Sequence, residues 1–192
     1  LIVCIRAERI GFYSKFSMLM NIILIGMPGC GKSALGRNAA RTLHCRFCDL
    51  DVWIEKTERL TITEIFEKDG EDGFRRIETA ALKTVLSTPD TDEHEIISSG
   101  GGIVVRPENL ELMSRAFVIF IDRPTECIKS DIDTSARPLL ADGGDRLRRL
   151  FNERIPLYTK SCNARILNNG SFSDALGKLT AVIQAEISKL RR

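Results

Sequence analysis

The chain has 192 residues, 43% of them hydrophobic, with 28 basic and 26 acidic side chains and a formal net charge of +2. That is enough for one well-packed domain and short for two. The basic residues are interleaved with acids, which removes the case for a nucleic-acid partner, and no apolar segment is long enough to span a bilayer.

Residues 1–19 open on Leu1 and place Arg6, Glu8, Arg9 and Lys15 among apolar side chains. They lack the uninterrupted apolar centre of a secretory signal. We read them as an N-terminal extension, a linker or the remnant of an upstream segment, with the domain proper over 20–192. The apolar run Asn21–Ile25 predicts a strand, and Lys32–Leu43 a helix. Between them Gly26-Met-Pro-Gly-Cys-Gly-Lys-Ser33 fits the Walker A pattern, G-x-x-x-x-G-K followed by Ser or Thr, in its proper setting of strand, turn and helix. Such a turn aims backbone N–H groups at a polyphosphate, and the helix adds its positive end. The nucleotide-binding set is therefore Gly29, Cys30, Gly31, Lys32, Ser33 and Ala34, with Gly26 letting the chain turn. Lys32 reaches the outer phosphates, and the Ser33 hydroxyl suits Mg²⁺.

Six cysteines invite a metal or redox reading. Cys45 and Cys48 form a C-x-x-C pair, but no second pair exists, and the motif leads into a strand rather than opening a helix. Small half-buried thiols in a reducing cytoplasm are the better account. Cys30, among N–H donors, is expected to be unusually acidic and reactive.

Further along, strands are predicted at 46–50, 95–98, 117–121 and 164–167, and helices at 63–67, 73–86, 107–114, 124–131, 145–160 and from Ser173 to the C-terminus, with Ser173-Asp174 as its cap. Short apolar runs alternating with helices predict an α/β fold, a parallel sheet covered on both faces. Asp49 and Asp51 fall at the end of the second strand, where residues two apart share a face. One suits Mg²⁺ and the other an acceptor hydroxyl; Asp122, closing the run 117–121, is a rival metal carboxylate. Gly100, Gly101 and Gly102 suggest a ligand lying on bare main chain. Arg75 and Arg154 can each make a two-pronged pair with a carboxylate. The basic stretch around Arg148 and Arg149 reads as a solvated helix face. Residues 135–144, with Pro138, Gly143 and Gly144, read as a mobile lid.

Together, Gly26–Ser33, Asp49-Leu-Asp51, 62–66, Phe74-Arg75 with Glu78, Gly100–Gly102, Arg137-Pro-Leu-Leu140 and Arg154-x-x-x-Tyr158 resemble the shikimate kinase family in order and spacing over residues 20 to 168. The resemblance implies a three-layer sandwich with a five-stranded parallel sheet of the P-loop, nucleoside-monophosphate-kinase type, the Walker strand central. It implies ATP-dependent phosphorylation of the shikimate 3-hydroxyl. Lys32, Asp51 and Arg137 then resemble the catalytic groups, Arg137 closing over the phosphates. Ser33 and Asp49 resemble the Mg²⁺ residues. Asp51, Arg75, Gly100, Gly101, Gly102 and Arg154 resemble the shikimate pocket, and Asp122 belongs to a structural strand. Two places depart from the family pattern. Ser130 stands where an arginine is frequent, and Asn168-Asn169-Gly170 lacks the arginine and proline found near the adenine.

Two other readings stay open: another small-molecule kinase, of gluconate or nucleotide type, and a nucleotide-binding module without turnover. A cytoplasmic monomer is expected, because no surplus apolar helix face asks for a partner.

Overall fold

The computed structural model describes residues 3–4, 19–87, 93–131 and 144–190. The central strand β2 (Asn21–Ile25) is wholly apolar after its first residue, and Ile22, Ile23, Leu24 and Ile25 are all 0% exposed. A strand buried on both faces needs neighbours on both edges. It pairs in parallel with β4 (Glu95–Ser98) on one side and β5 (Phe117–Asp122) on the other. Beyond them lie β3 (Arg46–Asp49), parallel to β4, and β6 (Ala164–Leu167), parallel to β5. Five parallel strands with the loop-bearing strand in the middle are thus as expected. A short antiparallel β1 (Val3–Cys4) adds an edge next to β6.

From β2 the chain first builds β3 and β4 on one side, then crosses to β5 and β6 on the other. The direction of winding therefore reverses at the carboxyl end of β2, the crevice where such sheets bind ligands. Helix α1 (Lys32–Leu43) covers β3 and β4 and packs beside α7 (Phe172–Leu190), which lies over β6. It sits very close to the sheet. A Cβ on Gly36 would fall 2.8 Å from Leu24 Cδ1 and 2.9 Å from Phe47 Cε2.

Three differences among the helices go beyond a one-residue shift at an element's end. The chain turns helical at Leu50, giving α2 (Leu50–Glu58), where an extended Leu50 was expected. Asp49 caps this helix, its Oδ1 accepting the Val52 amide at 3.4 Å, while Leu50 and Ile54, one turn apart, bury its inner face. The two helices expected at 63–67 and 73–86 join as α3 (Ile62–Ser87), interrupted only at Gly70 (φ 68°, ψ −176°). A capping box starts it: the Thr61 amide donates to Glu64 at 2.7 Å and the Glu64 amide to Thr61 Oγ1 at 3.2 Å. In α7 the cap is Ser171, whose Oγ accepts the Asp174 amide at 3.1 Å, two residues ahead of the expected Ser173.

The remaining helices are α4 (Pro107–Met113), α5 (Thr125–Asp131) and α6 (Gly144–Ser161), with a short 3-10 turn at Ile103–Val105. On α6, Arg148 and Arg149 are exposed.

Candidate active site

The loop after β2 keeps its shape through positive φ angles at Gly26 (146°), Gly29 (79°) and Gly31 (96°). At Gly26 crowding adds to the constraint, since a Cβ there would lie 2.5 Å from the Ile121 carbonyl oxygen. Gly31 is the N-cap of α1, so the first amides of that helix open toward the loop. Lys32 is only 6% exposed, and its Nζ donates to Gly26 O at 3.0 Å and Met27 O at 2.9 Å. The ammonium is held inside the loop curve. Ser33 and Ala34 are exposed in the first turn, with Ser33 Oγ 3.2 Å from Ser98 Oγ of β4.

Cys30 departs from expectation. Its side chain is 0% exposed beneath Gly26, with Sγ 3.7 Å from Lys32 Nζ, so reagents in solution cannot reach it. Cys45 precedes β3 and Cys48 lies inside it. Burial pushes both thiols up, Cys48 to about 11, and both are held in the inert thiol form.

Asp49 and Asp51 are brought to the loop by different geometry from that predicted. Asp49 ends β3, and Asp51 stands in the first turn of α2, so strand alternation does not pair them. Burial pushes the Asp51 carboxyl up, helped by repulsion from Asp49, while Lys32 and Arg75 pull against it. Asp122 faces elsewhere: its Oδ2 accepts Arg165 Nη2 at 2.6 Å and Nε at 3.1 Å, an ion pair within the sheet.

The three glycines form the wall between these groups. A Cβ on Gly100 would lie 2.8 Å from Glu78 Oε1 and 3.0 Å from Asp51 Oδ1, and one on Gly101 2.6 Å from the Pro28 ring. One on Gly102 would collide with the Arg75 guanidinium itself. Arg75 is 8% exposed; its Nη1 donates to Glu78 Oε2 at 2.8 Å and its Nη2 to Glu71 Oε1 at 3.2 Å. Its Nε is buried with no partner among the described residues. Across the wall, Arg154 Nη1 of α6 donates to Gly101 O at 3.2 Å. Gly102→Ala is therefore expected to displace Arg75 and raise the KM for an acid ligand by roughly tenfold, with nucleotide binding unchanged; titration of both ligands checks it.

Two residues with no role assigned from sequence also hold the loop. Ser98 meets Ser33, and Asn168, 4% exposed, donates from Nδ2 to Cys30 O at 3.0 Å. A polar residue directly after the last parallel strand, on the ligand edge, was the available signal for Asn168. Arg137 and the expected lid up to Gly143 lie outside the described residues, as does the side chain of Ser130.

A glycine-rich loop feeding a helix at the switch point of a parallel sheet, with its lysine turned inward, is the architecture of a P-loop kinase. The family model for shikimate kinase matches residues 28–185. A shikimate kinase of Clostridium botulinum (strain Alaska E43 / Type E3) is 41% identical over 167 residues, spanning 86% of this chain and 98% of that protein. The chain belongs to the shikimate kinase family. Among solved structures, the shikimate kinase from Acinetobacter baumannii in complex with shikimate aligns with a TM-score of 0.78 at 32% identity, covering 89% of this chain and 96% of that one. The shikimate kinase from Aquifex aeolicus aligns at 0.73 and 33% identity, over 87% and 98% of the two chains.

Proposed function

We propose that the protein transfers the γ-phosphoryl group of ATP to the 3-hydroxyl of shikimate. The observation that carries this reading is the convergence of Arg75 and Arg154 on the Gly100–Gly102 wall, with Pro28 of the phosphate loop resting on Gly101. A small acid held by two guanidinium groups there lies beside Asp51 and next to the nucleotide's phosphates.

Phosphoryl transfer asks the protein mainly for alignment and for neutralisation of spreading charge. Lys32 supplies an ammonium at the loop, the α1 amides supply donors, and Arg137 is proposed to close over the phosphates. Asp51, its carboxyl raised by burial, is the better base for the acceptor hydroxyl proton. Ser33 and Asp49 offer oxygen ligands, the donor type that Mg²⁺ prefers. Among the described residues no three His, Cys, Asp or Glu side chains cluster as a metal cage. That fits an ion carried in on ATP phosphates and completed by one hydroxyl and one carboxylate; bound there, it would neutralise phosphate charge.

Among the described residues no helix is long and apolar enough to cross a membrane. Among the described residues the exposed large apolar side chains are Val52 on α2, Val105 on the 3-10 turn and Phe172 on α7, one to an element, which supports a monomer. A coupled ADP-release assay tests the function. Release should depend on shikimate and not on gluconate or nucleoside monophosphates. Dependence on one of those instead, or none on any acceptor, would end the proposal.

A further inference from the structure

The glycine wall has no side chains with which to anchor itself, so its position depends on what its backbone bonds to. Ser99 ties its start to β2, through Oγ donating to Leu24 O at 2.9 Å. The 3-10 turn ties its end, the Val105 amide donating to Gly102 O at 3.0 Å. The middle peptide is held by α6. Gly101 O accepts Arg154 Nη1 at 3.2 Å and also the hydroxyl of Tyr158, one helical turn further along the same face. Tyr158 is 0% exposed, its ring is stacked on Phe120 of β5 at 5.1 Å and 26°, and its hydroxyl lies 3.9 Å from Met27 Sδ. Burial pushes the hydroxyl well above the ordinary tyrosine value, so it stays a donor. On its other side Gly101 meets Pro28. The peptide is thus trapped between the phosphate loop and a ring fixed in the core.

We propose that Tyr158 is a positioning residue of the acceptor pocket, whose hydroxyl fixes the Gly101 peptide and so sets where Arg154 points. The assignment rests on the shikimate kinase reading and adds a residue that touches neither substrate. Sharing the carbonyl between two donors matters for Arg154. Without the tyrosine hydroxyl, Arg154 is the remaining side-chain donor to Gly101 O and is drawn toward it, away from a ligand carboxylate. The nucleotide side should feel little of this.

Tyr158→Phe keeps the ring and its stack on Phe120 and removes only the donor. The shikimate KM is expected to rise about five- to tenfold, as for one lost hydrogen bond, with kcat changed less than twofold and the ATP KM constant. In an Arg154→Ala background the same substitution should shift the shikimate KM by less than about twofold, since both residues act through one carbonyl. Hydrogen exchange of the ligand-free protein adds a readout that needs no substrate. The segment 99–105 should exchange faster in Tyr158→Phe, while α1 does not. An unchanged shikimate KM, additive effects of the two substitutions, or both KM values rising together would overturn the assignment. Should the wild type show no shikimate-dependent turnover, the proposed function fails on its own. Exchange then decides about Tyr158: unaltered rates in 99–105 reject it, faster rates there support it.

Discussion

Lys32→Ala is expected to lower kcat by ~10²–10³, as for loss of one charge aimed at a transition state. The ammonium lies within the loop curve, held by two main-chain carbonyls, and is nearly closed to solvent. Its field is therefore poorly screened and already oriented. A second consequence follows from charge. Lys32 pulls the Asp51 carboxyl down against burial; without it that carboxyl rises further. The acid limb of the kcat/KM profile should then move to higher pH, since Asp51, the proposed base, accepts a proton only when unprotonated. Steady-state kinetics with a melting curve checks both, and a folded variant within threefold of wild-type kcat would remove Lys32 from the transfer step.

Arg75→Ala is expected to damage the protein twice. Glu78 is 0% exposed, and Arg75 is its ion-pair partner at 2.8 Å. Removing the guanidinium strands a buried carboxylate, a loss typically about 3–5 kcal/mol. Burial already outweighs Arg75 and holds the Glu78 carboxyl above the ordinary glutamate value; the substitution pushes it up further. A carboxyl raised on folding keeps its proton in the folded state where the unfolded chain has released it. Stability therefore falls as pH climbs from the ordinary glutamate value through the raised one. The variant should accordingly lose more melting temperature at pH 8 than at pH 5, and its shikimate KM should rise at either pH. Equal destabilisation at both pH values would argue that Glu78 is not the stranded group. The exposed Glu71 partner, 66% accessible, adds little to this balance.

The loop region was readable because independent signals agree there. An apolar run, three glycines and a helical period leave one arrangement for residues 21–43, and those bounds match the structure. Helix α2 was missed at the point where two local readings compete. Asp49 both ends a strand and caps a helix, and extending the strand by one residue conceals the Leu50–Ile54 helical pair. Asp51 therefore projects from a helical turn and not from the strand end that period-two alternation assigned to it. The two-residue β1 contains no period at all to detect. Tertiary neighbours were beyond local reading: nothing near Tyr158 in the chain announces Gly101, and nothing near Asn168 announces Cys30. Burial, similarly, reverses the reading of Cys30, whose sequence neighbours suggest reactivity that its packing forbids.

Asp49 serves two masters, since one of its oxygens starts a helix while its charge is proposed to serve the metal. Asn, Ser and Thr cap nearly as well, so exchanges there would yield sound, soluble protein with an impaired ion site. Any survey of variants that scores yield or heat resistance would be blind to this position, and only one that follows turnover would find it.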